Sequence, residues 1–396
     1  MIAADAEEAL PMKITLFIRS ASHKMVLNRK AGKGPMNTKH YFACGHTAKG
    51  YVNLLSSNLE PLNKLFILKG GPGMGKLPFM KKIGSALEGL GQMVEYIHSP
   101  SDPDALDGVL FPGLGVGMVD GTPPHVIEPR APGALEEYIN LGAGWNTEKL
   151  AAHTAEILEL RNQVQLSFEK AYIEFAKGLK VHDEWEKIYI RNMDFAGADR
   201  LTEEVIHSLL GASRLDQPGS IKHRFFGGST PRGQIDYIPN ITEDIDTRYF
   251  LKGRPGTGKS TMLKKIAEKA HAQGNDIEIY HCGFDPDSLD MLLFPELKLC
   301  IFDSTSPHEY YPSRESDQVI DMYSKLITPG TDELYDKELA DITARYKAFT
   351  GEGIAYLASA KTSLEKLEQI YNDATDFYVI DRICNELLLK TLKFQS

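Results

Sequence analysis

The stretch YFLKGRPGTGKSTMLKKI, residues 249–266, decides how this chain of 396 residues is built. An apolar segment runs into a glycine-rich loop, and residues with helical spacing follow the loop. A closely similar stretch, FILKGGPGMGKLPFMKKI, occurs at residues 66–83. Gly253 lies 183 positions after Gly70, and the same offset aligns the two stretches throughout. The chain therefore contains the same strand–loop–helix unit twice.

The repeat extends well beyond the two loops. At the same offset, residues 40–129 align without a gap with residues 223–312. The shared segments include HYFACGHTAKG with HRFFGGSTPRG, and HSPSDPDALDGVLFPGL with HCGFDPDSLDMLLFPEL. We therefore predict a tandem duplication, with an N-terminal extension at 1–37, a first copy at 38–215 and a second copy at 221–396.

Apolar segments alternate with helical patterns inside each copy, which is typical of a mostly parallel sheet covered by helices. Each copy then continues into a long stretch with apolar residues at helical spacing. We expect an α/β fold made of two tandem domains, each with an appended antiparallel helical hairpin. The segments DPDALD and DPDSLD are predicted to begin short helices, with Asp102 and Asp285 as N-caps before a proline. In the alternative, Asp104 and Asp287 bind the hydroxyl group of an acceptor.

Charge and cysteine content narrow the class of protein. The net charge of −10 argues against bulk binding to nucleic acid, which depends on clustered lysine and arginine. We expect no membrane interaction, because the sequence has no apolar run of roughly 20 residues. The cysteines Cys44, Cys282, Cys300 and Cys384 show no C-x-x-C spacing, so neither a zinc site nor a disulfide framework is indicated. This pattern predicts a cytoplasmic protein.

The second loop has the complete pattern G-x-x-x-x-G-K-[ST] between a predicted strand and a predicted helix. Its glycines let backbone N–H groups face a polyphosphate, and the helix N-terminus favours negative charge. Lys259 would contact the β- and γ-phosphates, the Ser260 hydroxyl would bind Mg²⁺, and Thr261 would meet the α-phosphate. The predicted nucleotide-binding residues here are Gly253, Pro255, Gly256, Thr257, Gly258, Lys259, Ser260 and Thr261.

A second magnesium ligand is expected at the end of a neighbouring strand. Asp303 follows the apolar segment LKLCIF, and Asp120 has the equivalent place in the first copy. Ser304 follows Asp303 where many ATPases have a glutamate, so another residue positions water, hydrolysis is slow, or the acceptor is not water. The motif D-x-T-x-P-H offers His308 to orient the nucleophile or sense the γ-phosphate, the alternative being a histidine bonded to a loop carbonyl. The sequence thus predicts Lys259, Asp303 and His308 as catalytic, with Ser260 and Asp303 on the metal.

The first loop keeps only part of this chemistry. The glycines and the cation remain, so we expect a phosphate to contact Gly70, Gly73, Gly75 and Lys76. Leu77 replaces the residue that would bind magnesium, and Pro78 removes a second hydroxyl. Pro78 is compatible with the first turn of a helix, whose N–H groups lack intrahelical partners. The first copy is therefore predicted to bind nucleotide weakly or without Mg²⁺.

Two cations occupy equivalent positions before the loops. Lys49 and Arg232 both stand in T-x-(K/R)-G, one in each copy. A cation supplied by one copy to the phosphate of the other would act as an arginine finger. The alternative is a solvated side chain.

Through GRPGTGKST the chain resembles P-loop NTPases. The paired motifs, from H-x-F to D-x-T-x-P-H, resemble a family of tandem-P-loop bacterial proteins, mostly from Firmicutes, that are called predicted ATPases or nucleotide kinases. This resemblance covers everything but the N-terminal extension and implies ATP and Mg²⁺ as cofactors on an α/β fold. The first copy departs from the family pattern at Leu77 and Pro78, where Ser-Thr is expected.

These observations predict an ATP-binding protein, a Mg²⁺-dependent ATPase acting through the second copy, with the first copy degenerate or regulatory. One alternative is a nucleoside or small-molecule kinase that transfers the γ-phosphate to an acceptor. Another is a regulatory or scaffold module that nucleotide binding switches without hydrolysis. The expected partners are a nucleoside triphosphate and a small-molecule acceptor, with the two copies paired as a pseudo-dimer or the chain forming a homodimer.

Overall fold

The computed structural model describes residues 38–211 and 219–395. The extension predicted at 1–37 lies outside the described residues. The described chain is α/β, with two six-stranded mixed sheets that are mostly parallel and a four-stranded sheet to which both copies contribute. This confirms the α/β class and the mostly parallel sheets that the sequence predicted. Among the described helices, none is both long enough and apolar enough to cross a membrane.

The elements of the first copy are, in chain order, β1 (Thr38–Phe42), β2 (Cys44–Thr47), β3 (Gly50–Asn53), α1 (Leu55–Leu59), β4 (Lys64–Lys69), α2 (Lys76–Glu88), β5 (Val94–His98), β6 (Leu106–Phe111), β7 (Val116–Asp120), β8 (Glu136–Asn140), α3 (Thr147–Ala152), α4 (Thr154–Arg191) and α5 (Phe195–Leu210).

Those of the second copy are β9 (Ile221–Arg224), β10 (Gly227–Thr230), β11 (Gly233–Asp236), α6 (Ile238–Ile241), β12 (Thr247–Lys252), α7 (Lys259–Ala272), β13 (Ile277–His281), β14 (Leu289–Phe294), β15 (Leu299–Asp303), β16 (Gln318–Asp321), α8 (Met322–Leu326), α9 (Thr331–Leu334), α10 (Asp336–Asp373) and α11 (Phe377–Leu392). Within the described residues, three short 3₁₀ helices lie at Pro112–Leu114, Leu141–Gly144 and Lys393–Gln395.

Each six-stranded sheet brings a glycine-rich loop next to an aspartate. The orders are β1-β5-β6-β7-β4-β8 and β16-β12-β15-β14-β13-β9. Strands β4 and β7 are parallel, with Leu68 opposite Asp120, and β12 and β15 are parallel, with Leu251 opposite Asp303. The carboxyl ends of both strands therefore meet at one edge, where each loop begins.

The segments after the DPD motifs differ from the sequence prediction. The predicted short helices with Asp102 and Asp285 as N-caps are wrong, because residues 102–105 and 285–288 are turns that lead into β6 and β14. The Asp102 carboxylate accepts the Asp104 N–H at 3.2 Å and so closes a local turn. The following apolar segments lie between two strands of each sheet, where burial on both faces favours the extended conformation.

The long helices also differ from the predicted hairpin in each copy. Helix α4 of the first copy packs antiparallel along α10 of the second copy instead of folding back on α5. Glu184 and Arg345 form an ion pair of 2.7 Å near one end, and Leu160 packs with Leu367 near the other. Apolar spacing predicted that these helices have a buried face, but not which helix covers it.

The shorter terminal helices are exchanged between the copies. Helix α5 of the first copy contributes Val205, Ile206, Leu209 and Leu210 to the core beneath α7 in the second copy. Helix α11 of the second copy contributes Ile380, Cys384, Leu387 and Leu388 to the core beneath α2 in the first. Each copy therefore completes the hydrophobic core of the other.

The two copies also share backbone hydrogen bonds. The four-stranded sheet has the order β11-β10-β2-β3, and Ser229 of β10 is opposite His46 of β2. Phe42 and Phe225 exchange backbone hydrogen bonds of 3.0 and 2.8 Å. Because Phe225 is the repeat equivalent of Phe42, this contact lies on an approximate two-fold axis that relates the copies.

A fully buried arginine lies beside this axis. The Arg224 side chain is 0% exposed and donates to the Glu95 carboxylate at 2.7 Å, while its Nη1 lies 3.3 Å from Glu278 Oε1. Its guanidinium carbon is 4.0 Å from the centre of the Tyr41 ring. Burial alone would raise the pKa values of both glutamates, but Arg224, followed by Lys39, lowers them below their usual range.

Arg224→Met is expected to lower the free energy of unfolding by about 3–5 kcal/mol, because it leaves two buried carboxylates without their shared counter-charge. Denaturant titration of the full chain measures the loss. Arg345→Met, which removes a solvent-exposed ion pair, is the matched control and should have a much smaller effect. Adding Glu95→Gln and Glu278→Gln to Arg224→Met should recover part of the loss. Equal losses in the two single variants would contradict the buried-charge explanation.

Candidate functional site

The second loop, residues 253–258, connects β12 to α7 and requires its glycines. Gly256 and Gly258 have φ angles of 77° and 84°, in the left-handed region that glycine adopts without strain. At Gly253 a Cβ atom would lie 2.5 Å from the Thr257 hydroxyl oxygen. Gly258 is the N-cap of α7, so the loop ends at the N-terminus of a helix of 14 residues.

Three of the predicted site residues lie together at the edge of the second sheet. Lys259 Nζ is 3.5 Å from Asp303 Oδ2 and donates to the Arg254 carbonyl oxygen at 3.0 Å. Asp303 Oδ1 accepts the Thr305 hydroxyl at 2.6 Å. The Ser260 hydroxyl accepts the Leu289 N–H at 3.0 Å, which places Ser260 beside the start of β14. Pro255 is half-buried in the loop, and Thr261 is exposed on the first turn of α7.

Asp290 is a candidate functional residue that the sequence analysis missed. The antiparallel register of β14 and β15, with Met291 opposite Phe302, places Asp290 beside Asp303. Burial, followed by the negative charge of Asp303, raises the pKa of Asp290 to about 7, although His308 and Lys259 oppose the shift. A carboxyl group with such a pKa can accept a proton at neutral pH. The signal was an aspartate inside the apolar strand LDMLLF, which recurs as Asp107 in LDGVLF.

The predicted catalytic residue His308 also lies near this edge. Its Nδ1 is 2.9 Å from Asp236 Oδ2, and the other oxygen of Asp236 accepts the Tyr310 hydroxyl at 2.7 Å. Asp236 therefore fixes the orientation of the imidazole. The adjacent Ser304 has a structural contact, because its hydroxyl donates to the Tyr310 carbonyl oxygen at 2.8 Å.

A helix of the first copy covers the second loop. A Cβ atom at Gly256 would lie 2.6 Å from the carbonyl oxygen of Glu186 in α4. Burial, followed by the charges of Asp183 and Asp285, raises the pKa of the Glu186 carboxyl, while Lys259 and the Gly256 backbone N–H oppose this shift. A carboxyl group from the first copy thus lies beside the backbone of the second loop.

The first loop is occupied by atoms of the protein. Met74 is fully buried with a φ of 53°, and its sulfur accepts the Gly71 N–H at 2.9 Å and the Trp145 indole N–H at 2.8 Å. The Met74 N–H donates to the Asn372 side-chain oxygen at 3.0 Å, and Asn372 belongs to α10 of the second copy. The glycines Gly70, Gly73 and Gly75 are present as the sequence indicated, but two N–H groups of this loop already have partners.

The remaining residues of the first loop, Lys76, Leu77 and Pro78, lie on the first turn of α2. Lys76 Nζ lies 2.5 Å from Asp120 Oδ2 and donates to the Thr122 hydroxyl at 3.0 Å, a tighter contact than Lys259 makes with Asp303. Leu77 packs against the hydrophobic core of the first copy. Pro78 lies inside α2 without ending it, as predicted.

The two cations for which the sequence left open an arginine finger or a solvated side chain both form ion pairs across the two copies. Lys49 of the first copy forms an ion pair of 2.9 Å with Asp285 and also contacts Asp287. Arg232 of the second copy lies 2.9 Å from Asp104. Each cation therefore pairs with carboxylates of the DPD turn in the opposite copy.

No model of a protein family, no curated protein and no solved structure matches this chain. The candidate site is therefore interpreted from its own geometry.

The histidines at the ends of β5 and β13 hold the DPD turns. His98 Nδ1 donates to the Pro103 carbonyl oxygen at 2.9 Å, and its Nε2 is 2.9 Å from His40 Nδ1. His281 makes the same contacts with Pro286 and His223. Burial lowers the pKa of His98 from 6.5 to about 4, so the imidazole stays neutral in the folded protein.

We expect the free energy of unfolding to fall as the pH is lowered from 6.5 to about 4, because the unfolded chain binds a proton at His98 before the folded chain does. Each such proton contributes a slope of about 1.4 kcal/mol per pH unit. His98→Asn retains an N–H donor for the Pro103 carbonyl but does not titrate, so the slope should become shallower. Denaturant titrations across this pH range measure it, and an unchanged slope would contradict the assignment.

Proposed function

We propose that the chain binds ATP with Mg²⁺ at the second loop, as a P-loop, and hydrolyses it there. The observation that carries the proposal is the convergence of Lys259, Ser260, Asp303 and Asp290 at one edge of the second sheet. The first copy has equivalents of three of these residues but has Leu77 in place of the hydroxyl.

The second loop fits a nucleoside triphosphate and its metal ion. The N-terminus of α7 favours negative charge, and Lys259 adds a buried cation. Asp303 and Ser260 supply a carboxylate and a hydroxyl, the oxygen ligands that Mg²⁺ prefers. When bound, Mg²⁺ would neutralise charge on the phosphate groups.

Asp290 takes the place of the glutamate that is missing after Asp303. In this proposal the Asp290 carboxylate holds the attacking water and accepts its proton. Asp236 fixes His308 close to Asp290, where a positive charge on the imidazole lowers the pKa of Asp290 and favours the ionised carboxylate. Lys259 remains with the phosphates, so binding and proton transfer depend on different side chains.

The first copy is proposed to have lost this activity. Its loop N–H groups contact the Met74 sulfur and the Asn372 oxygen, and Leu77 contributes no metal ligand. Lys76 is already paired with Asp120. The role left to this copy is to contribute α4 and its Glu186 to the second loop.

A nucleotide-operated switch is the second candidate function. The contact between Glu186 and Gly256 favours it, because phosphates at this position would meet the Glu186 carboxylate and push α4 away. Turnover separates the two candidates: phosphate release supports the hydrolase, whereas tight binding without release supports the switch.

Lys259→Ala is expected to weaken Mg·ATP binding about 10- to 100-fold, as the loss of a charged hydrogen-bond donor worth ~1.5–3 kcal/mol implies. Lys76→Ala is the matched control from the first loop and should leave the affinity unchanged. Titration calorimetry on the full chain measures both. The proposal fails if Lys259→Ala binds Mg·ATP as tightly as the unsubstituted protein.

Asp290→Asn should reduce kcat for ATP hydrolysis by roughly 10²- to 10⁴-fold while Mg·ATP affinity is retained, because the amide cannot accept the proton of water. Asp290→Glu restores a carboxylate and should recover part of the rate. Phosphate release under saturating nucleotide is the measurement, and an undiminished kcat in Asp290→Asn would exclude Asp290 as the base.

A further inference from the structure

Three buried side chains of different chemistry meet in the first copy. Cys44 is in β2, Asp107 is in β6, and His125 follows β7; they are 0%, 3% and 5% exposed. One ligand atom from each lies within 4.8 Å of the other two. We propose that these residues, called the Cys-Asp-His cluster below, bind one divalent transition-metal ion, with Zn²⁺ as the expected occupant.

The carboxylate of Asp107 lacks a partner that a metal would supply. Asp107 Oδ2 is buried and has no hydrogen-bond partner among the described residues. An unsatisfied buried carboxylate oxygen is costly, and such atoms are rare in folded proteins. Asp107 Oδ1 lies 3.5 Å from His125 Nε2, which is long for a hydrogen bond. This spacing suits two ligands of one tetrahedral zinc ion, because bonds of about 2.0–2.2 Å place their atoms roughly 3.3–3.6 Å apart. An ion that contacts both carboxylate oxygens would also give Oδ2 the partner it lacks.

Tyr51 lies beside the other two ligands. Its hydroxyl is 2.8 Å from His125 Nδ1, and its side chain lies near the Cys44 thiol. When Nδ1–H donates to Tyr51, the lone pair of Nε2 faces Asp107, and the tyrosine hydroxyl is free to donate to Cys44. Histidine ligands of metal ions usually donate their other N–H to an oxygen in this way.

The ligand set selects the metal. One sulfur, one imidazole nitrogen and one carboxylate oxygen suit Zn²⁺, and a fourth position remains for water. Mg²⁺ and Ca²⁺ prefer oxygen ligands throughout, so the cluster is not a second magnesium site. The sequence did not indicate it, because the three residues are 63 and 18 positions apart and form no C-x-x-C motif.

The second copy provides an internal comparison. The positions equivalent to Cys44, Asp107 and His125 are Gly227, Asp290 and His308, so the second copy has no cysteine at the position of Cys44. Cys282 interacts with Asp290 from a different position, but the described residues of the second copy form no such group of ligand atoms. We therefore assign the site to the first copy. A bound ion would connect β2 of the shared sheet to β6 and to the loop after β7 in the first six-stranded sheet.

The experiment uses the full chain, stripped with a chelator and then reconstituted with Zn²⁺ alone. Mass spectrometry of the metal content is expected to give one zinc ion per chain. Cys44→Ser should weaken zinc affinity by at least about 100-fold, since even partners of metal ligands account for 10- to 100-fold. Cys282→Ser is the matched control at the second site and should bind zinc normally. Replacing zinc with Co²⁺ should give a thiolate-to-metal absorption band that Cys44→Ser removes and Cys282→Ser retains.

Tyr51→Phe keeps the packing of the ring. It provides a second test of the metal site that remains valid if Cys44→Ser fails to fold. It should fold, as circular dichroism would show, and bind zinc about 10- to 100-fold more weakly. A stripped chain that takes up no zinc overturns the proposal and leaves a hydrogen bond between His125 and Asp107 in its place. Equal zinc affinity in Cys44→Ser and the unsubstituted protein overturns it as well.

Discussion

The buried guanidinium of Arg224 is the interaction on which the arrangement of the two copies depends. It serves as the shared counter-ion for Glu95 and Glu278, which occupy equivalent positions in the repeat. The residue equivalent to Arg224 is Tyr41, whose ring lies against the guanidinium. Two arginines at these positions would repel each other, and two tyrosines would leave the carboxylates without the central charge. The contact therefore requires arginine in one copy and tyrosine in the other. A single chain with a diverged repeat provides both residues, whereas a homodimer of either copy provides only one of them.

Each glycine-rich loop is in contact with a long helix of the opposite copy. Helices α4 and α10 lie across the opposite loops, and α5 and α11 complete the opposite cores. Glu186 of the first copy lies on Gly256, and Asn372 of the second copy binds the N–H of Met74. A half-chain would lack part of its core, so the loops are best studied in the full chain.

The loop-bearing edges of the two six-stranded sheets share an arrangement of lysine and aspartate residues but differ in the side chains around it. Both edges have a lysine next to a strand-end aspartate, with a second aspartate on the neighbouring antiparallel strand. In the second copy Asp290 and Asp303 lie beside Lys259 and a serine hydroxyl. In the first copy Met74 fills the loop, and Cys44 joins Asp107 and a histidine in a set of softer ligands. Equivalent backbone positions at the two edges thus carry different side chains.

The sequence by itself determined the duplication, the strand–loop–helix units and the loss of a hydroxyl at Leu77. These are local signals, because glycine at positive φ and helical or strand spacing depend on a few neighbouring residues. Only the tertiary structure decided that β6 and β14 are strands, that Asp290 lies beside Asp303, and that α4 pairs with α10. Those features depend on which buried surfaces meet across long sequence separations. Apolar periodicity indicates that one face of an element is buried, but it does not indicate which element covers that face.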